Sequence, residues 1–224
     1  MTIARIVSVN ASRPRTEDLG GWQNRTSIRK QAVLGEVAVR RLGLEGDQVA
    51  DTKYHGGTYK ALYAFAQEDL DHWAEQLGQP VPPGMFGENL TTAGIDVNEA
   101  EVGERWRIGS VLAEVVSVRI PCRVFQGWLG VNGFDDTAWV RRFTAHGRPG
   151  PYLRVLETGT LRAGDEVVVE HRPGHGVTVS TMFAALTTQR WLLPRLLEVP
   201  GIEPWARERA EAYVASGELV LSAE

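Results

Sequence analysis

From Ile3 to Glu170 the chain keeps returning to one pattern: a short run of β-branched or alternating apolar residues, closed by glycine, proline or aspartate. Runs that short suit strands better than helices. The predicted strands are Ile3 to Val9, Glu36 to Leu42, Tyr59 to Phe65, Asn89 to Thr92, Arg105 to Ile108, Val111 to Val118, Tyr152 to Leu156 and Glu166 to Glu170. Gly109-Ser110 and Ala163-Gly164-Asp165 mark turns between neighbours. Two helices interrupt the pattern: Glu68 to Leu77, with Leu70, Trp73 and Leu77 on one side, and a second from Asp135 or Asp136 to about His146. Ala11 to Thr26, with Pro14, Gly20 and Gly21, reads as a long loop, a kind of segment that is more often functional than average. Many short strands with few helices favour a closed or nearly closed β-barrel over a doubly wound sheet.

The character changes near Arg172 to Gly176. From Val177 onward helix formers at helical spacing replace the strand signals, and Pro204 suits the first residue of a last helix ending near Ala215. The expected organisation is mainly β with α: a barrel-like body over residues 1–172 and a small helical domain over residues 177–224. With 43% apolar residues among 224, a packed core can offset the entropy of ordering. No apolar run approaches the ~18 residues of a membrane span. The start lacks a secretion signal, so a cytoplasmic location is expected. A single cysteine excludes an internal disulfide and any zinc site built on two thiolates.

Charge is unevenly spread. Residues 1–41 carry 8 Lys and Arg against 3 acids, residues 43–104 carry 2 against 12, and residues 105–172 carry 10, all arginine, against 7. The net charge of -4 argues against general nucleic-acid binding, which needs broad phosphate neutralisation. Solvated surface accounts for much of the pattern. Two basic stretches meeting around a small anion would account for the rest, since a guanidinium pairs with phosphate through two bonds.

Cys122 is the first candidate for chemistry. It follows Pro121 at the end of an apolar strand, with Arg119 and Arg123 beside it. A free cysteine is most often a small buried hydrophobe. Flanking arginines favour the thiolate, which attacks electrophiles and binds soft metals. A second group is Gly43-Leu44-Glu45-Gly46-Asp47, then Asp51, His55-Gly56-Gly57 and Lys60. Its glycines permit tight turns and close approach of backbone to a ligand, although the spacing matches no phosphate-loop pattern. The plainer account is a structural histidine with two turn glycines.

Ser27-Ile28-Arg29-Lys30 offers adjacent cations for a phosphate, or for solvent alone. Gly84-Met85-Phe86-Gly87-Glu88-Asn89-Leu90 ends at a strand start, where Asn89 could read a heterocycle edge and Glu88 could cap a turn or pair with an arginine. His72 is expected to be exposed. His171 and His175 have metal-like spacing, but Pro173 and Gly174 forbid the helix that would bring them together.

In order and spacing, Gly43-Leu44-Glu45-Gly46-Asp47, His55-Gly56-Gly57 with Lys60-Ala61-Leu62-Tyr63, Phe86-Gly87-Glu88-Asn89-Leu90 and Pro121-Cys122 resemble the MOSC domain family. That family is named for the C-terminal domain of molybdenum cofactor sulfurase, and the likeness is to its stand-alone bacterial branch, as is that of Ser27-Ile28-Arg29-Lys30. It covers roughly residues 1–172, and the tail from Val177 resembles the small three-helix domain that often follows in this branch. The resemblance implies a mostly β, barrel-like fold and a bound molybdenum cofactor, with Cys122 as the protein ligand to the metal. It also implies reduction of N-hydroxylated compounds such as hydroxylaminopurines. The alternatives are a carrier holding the cofactor or a persulfide on Cys122 without turnover, and a thiol-dependent enzyme or degenerate domain without metal. The lack of a second cysteine disfavours sulfur transfer. A pyridoxal phosphate site is not expected.

Further roles follow from the chemistry of that cofactor, a pterin bearing a dithiolene and a terminal phosphate. Arg29 and Lys30 are expected at the phosphate, and Gly56, Gly57, Lys60, Asn89, Arg119 and Arg123 around the rest. His55 is expected to give a proton to the departing oxygen, with Asp47 orienting it. The chain shows no flavin, cluster or haem motif, so a separate electron-donating reductase is expected to dock near the cofactor rim. The helical tail could serve that docking or bridge a homodimer. Neither a membrane nor a nucleic acid is an expected partner.

Overall fold

The computed structural model describes residues 3–52 and 55–217. Strands β1 (Arg5–Ala11), β2 (Arg15–Asp18), β3 (Gln23–Thr26), β4 (Gln31–Ala32), β5 (Val37–Arg40) and β6 (Gly43–Leu44) come first. A 3-10 turn at Thr58–Lys60 leads to β7 (Leu62–Ala66), helix α1 (Gln67–Leu77), β8 (Leu90–Ala93), β9 (Arg105–Ile108) and β10 (Val111–Val118). Helices α2 (Arg123–Val131) and α3 (Trp139–His146) precede β11 (Pro151–Glu157), β12 (Gly159–Leu161) and β13 (Val167–His171). The described chain closes with α4 (Val179–Thr187), a 3-10 stretch at Arg190–Glu198 and α5 (Pro204–Ala215).

The main sheet runs β13-β9-β10-β11-β7-β8-β1-β4. Its pairs are antiparallel except β7 with β8, which are parallel and joined through α1, as a parallel pair requires a crossover. Strands β12-β5-β6 form a smaller sheet, and β2 and β3 a hairpin. This is a mixed α/β molecule with one large sheet. The strand pairing does not by itself make a closed barrel, so the fold is wider than the barrel expected from the strand count. Strands β7 and β10 are buried along their whole length, which suits their near-continuous apolar sequence. Strand β7 lies between β11 and β8 with both faces covered.

Three local expectations are corrected. The segment Ala11 to Thr26 is not a loop: it contains the β2–β3 hairpin, whose turn uses Gly20 at φ 79 and Gly21 at φ 90. Helix α2 was not expected at all. His72 is half-buried, its ring stacked on His146 with centroids 4.2 Å apart. His175 is held by the Val102 carbonyl, 2.8 Å from its Nε2.

One apolar cluster runs from the sheet into the C-terminal helices. Phe65, Phe86, Phe125, Trp139 and Phe143 pack ring against ring, and Phe183 of α4 meets Phe143 edge-on at 6.4 Å. Arginines at the periphery pair with buried carboxylates. Arg148 bridges Asp69 on α1 (2.5 Å) and Asp96 (2.9 Å), and Arg172 bonds to Glu104 at 2.7 Å. No described helix is long and apolar enough to cross a membrane.

Candidate functional site

A cleft of about 140 Å³, open to solvent on one side, lies where the end of β10, the start of α2, the 3-10 turn at Thr58–Lys60 and the β3 edge converge. Cys122 lines it. The chain leaves β10 in extended form through Pro121, and Cys122, at φ -141 and ψ 171, takes the residue position just before α2. Helix α2 begins there because Val124, Phe125, Trp128 and Leu129 recur at helical spacing, with Phe125, Trp128 and Leu129 buried. The first turn of that helix leaves backbone N–H groups without intrahelical partners, and Cys122 and Val124 at that turn line the cleft.

Arg119 is the second element of the site. It is 7% exposed and has no carboxylate partner among the described residues. Its Nη1 lies 3.1 Å from His55 Nδ1 and donates to the Tyr152 hydroxyl at 3.3 Å, and its Nε is buried with no partner. The guanidinium also faces the rings of Phe125 at 5.6 Å and Tyr63 at 6.0 Å. A guanidinium only donates, so His55 Nδ1 accepts and the ring hydrogen resides on Nε2. Burial first, and the nearby Arg119 second, pull His55 down to about 4. At neutral pH His55 is therefore an uncharged imidazole.

Asp47 does not touch His55. It accepts from Lys30 Nζ with both oxygens at 2.7 Å, from the Ser12 N–H at 2.7 Å and from Asn89 Nδ2 at 2.9 Å. Burial pulls the Lys30 ammonium below the usual lysine range, against the opposing attraction of Asp47. Asn89 is fully engaged: its amide also donates to the Asn10 carbonyl at 3.2 Å, and its oxygen accepts from the Tyr63 N–H at 3.1 Å. Asn89, Asp47 and Lys30 thus form a rigid cleft wall that ties β8, β7 and the Gly43–Asp47 loop together. Lys60 Nζ lies 2.9 Å from Glu203 Oε1 at the start of α5. Gly57, at φ 89, turns the chain into the 3-10 segment, and a Cβ on Gly56 would stand 3.1 Å from Thr52 Cα.

Arg29 and Arg123 lie outside this cleft. Arg29 is exposed, over the Trp128 ring at 5.4 Å and 3.6 Å from Glu17. Arg123 is exposed over the Trp22 ring at 5.8 Å. Glu88 caps a turn and pairs with no arginine: it accepts from the Gly84 N–H, the Phe86 N–H (3.1 Å) and Thr91 Oγ1 (3.0 Å), and burial pushes it up to about 7. Among the lining residues not assigned to the site from the sequence are Arg25, Ser27, Tyr63 and Tyr152. Ser27 Oγ is buried without a partner, and the Tyr63 and Tyr152 rings lie 5.2 Å apart. Ser27 and Tyr63 had a sequence signal, through their motifs; Arg25 was hidden by the segment's reading as a loop.

Residues 51–168 match the MOSC domain, a span that includes His55, Gly56, Gly57, Lys60, Asn89, Arg119 and Cys122. The chain is 38% identical over 194 residues to the protein YiiM of Escherichia coli, covering 81% of this chain and 82% of that one. It is 31% identical over 172 residues to a protein of Gibberella moniliformis named Reductase, covering 75% of this chain and 29% of that one. The crystal structure of YiiM from Geobacillus stearothermophilus shares the fold, with a TM-score of 0.76 at 23% identity, over 94% of this chain and 98% of that one. With more than half its length inside the domain match and Cys122 within that span, the chain belongs to the MOSC domain family.

Proposed function

We propose that this chain binds molybdenum cofactor at Cys122 and reduces N-hydroxylated bases or amines, such as hydroxylaminopurines. The observation that carries the reading is Arg119, a buried guanidinium beside Cys122 with only neutral partners. Removing a cation from water costs several kcal/mol unless an anion completes it, and the cleft opens on this one. A thiolate, the ligand or both would complete it.

The residues present fit such a cofactor. Cys122 offers a thiolate to a soft metal. Arg119 Nε and Ser27 Oγ are polar atoms of the lining left without partners. No cluster of three or more His, Cys, Asp or Glu groups suited to a metal ion occurs among the described residues, so a metal would arrive with its organic ligand and gain one thiolate. Lys30 and Lys60 are already paired and Arg29 faces away, so the anionic end of the ligand falls to Arg25 and Arg119 in this reading.

When bound, the cofactor supplies the two electrons that, with two protons, turn an N-hydroxyl group into an amine and water. Cys122 anchors. Arg119 places fixed positive charge where negative charge develops on the departing oxygen. His55 offers its Nε2–H to that oxygen as a neutral donor, and Tyr63 and Tyr152 present aromatic surface to a flat base. The electrons come from a separate reductase. In the fungal relative named Reductase the matched stretch is 29% of the chain, which leaves length for other modules.

The same reading takes the chain as cytoplasmic, with no membrane or nucleic-acid partner and with a second copy as a candidate partner. It takes residues 177–224 as a helical unit. It takes the sheet as a barrel, on the strength of backbone bonds from Ile6 to Asp165 (2.9 Å), Gly164 to Ile6 (2.8 Å) and Val167 to Ala4 (2.9 Å) that bridge β1 to the start of β13. Molybdenum content of freshly purified protein, wild type against Cys122→Ser, tests the central claim together with turnover of a hydroxylaminopurine by an artificial reductant. The expected result is metal and turnover in the wild type and neither in the variant. Metal without turnover favours the carrier, and no metal after reconstitution with cofactor removes the proposal.

A further inference from the structure

The domain match ends at residue 168, yet a carboxylate 35 positions further on reaches the cleft lining. Glu203 occupies the position just before α5, where side chains commonly cap their own helix, but it makes no such bond. Its side chain turns into the body instead. Oε1 lies 2.9 Å from Lys60 Nζ, and Oε2 accepts from Ser117 Oγ on β10, two residues before Arg119. The side chains of Lys60 and Glu203 are 18% and 9% exposed, so the pair is largely shielded from solvent. The other side of the Thr58–Lys60 turn is held by Arg154, whose guanidinium lies over the Tyr59 ring at 5.3 Å.

Together with Asp47 on Lys30, this contact neutralises Lys30 and Lys60 of the cleft, while Arg119 has no acid among the described residues. We propose that Glu203 is a positioning residue for the cleft: it fixes Lys60 against the wall and cancels its charge, so that Arg119, with Arg25 at the rim, presents the positive charge to a ligand. The C-terminal helices thereby set the charge of a site that the domain match alone would make more basic. This rests on the reading of the cleft as an anion-accepting site.

The test uses the full chain and inorganic pyrophosphate, titrated by calorimetry. Glu203→Gln keeps an acceptor for Ser117 and frees Lys60. It is expected to bind pyrophosphate roughly fivefold more tightly, the scale of one extra partly screened charge, with a steeper salt dependence. The double variant Lys60→Met/Glu203→Gln returns to wild-type affinity. A gain that depends on Lys60 cannot come from a loosened tail, and amide exchange over residues 179–217 reports the state of that tail directly. As a measurement independent of Glu203, Lys60→Met weakens binding less than twofold, against tenfold or more for Arg119→Met. Glu203→Gln binding no tighter than wild type, or Lys60→Met as damaging as Arg119→Met, overturns the positioning role and leaves the cleft reading standing. Wild-type protein whose pyrophosphate affinity is indifferent to Arg119→Met overturns both.

Discussion

Arg148 and Arg119 are both sequestered, and they differ in what faces them. Arg148 holds Asp69, which is 3% exposed, together with Asp96; Arg119 faces an imidazole, a phenol and two rings. Arg148→Met should therefore cost about 3–5 kcal/mol, because it strands a buried carboxylate, and urea unfolding would read the loss. Arg119→Met strands no acid, so its urea midpoint should stay close to that of the wild type while anion affinity falls. His55 adds a pH dependence. Its ordinary value near 6.5 drops to about 4 in the folded chain, so between those values the unfolded chain binds a proton that the folded one refuses. Stability should climb as pH rises from about 4 to 6.5 and level off above. His146, also lowered to about 4, adds to the climb, and His55→Gln should remove only the His55 part, as urea midpoints at pH 5 and pH 7.5 would show. Cys122 was legible in the sequence because it is the sole sulfur nucleophile and sits beside Pro121. The true partners of Asp47 were not, because Lys30 and Asn89 lie 17 and 42 positions away and only the fold brings them together.

Among the elements, β9, β10, α1 and the start of α5 follow their sequence signals closely, since each combines regular spacing with a marked boundary. Helix α2 and the β2–β3 hairpin did not, and one contact accounts for both. Gly127 and Gly130 weaken a helical pattern by about 1 kcal/mol each relative to alanine. They are tolerated because a Cβ on Gly127 would stand 2.9 Å from Leu19 Cβ in the hairpin turn, and one on Gly130 would meet Asp136 at 3.0 Å. The Gly20-Gly21 pair was itself a hairpin signal, masked by the polar residues around it. Gly127→Ala should push the hairpin from α2. The clash costs about 1–3 kcal/mol, partly offset by better helix propensity. Faster amide exchange over residues 15–26 with exchange in β10 unchanged would be the result.

At the scale of the whole molecule, the change of character near Arg172 marks a change of element type within a continuous interior. Val177, Val179, Met182 and Phe183 share one apolar cluster with Phe143 and Trp139, and Glu203 reaches Ser117 and Lys60. A chain ended at Arg172 should therefore expose that surface and aggregate, and the full chain should unfold in one calorimetric transition. Two separated transitions would contradict this. The overall β-rich body with a helical end was legible because periodicity reports local structure. The shared core was not, because periodicity does not say which apolar faces meet.

The placement of Cys122 also offers a practical handle. As the sole thiol in the chain, it would take a maleimide dye or a spin label at one defined point on the cleft wall, with no engineered residue. A label there would let fluorescence or paramagnetic resonance follow whatever enters the pocket, and protection from alkylation would count the fraction of molecules already filled.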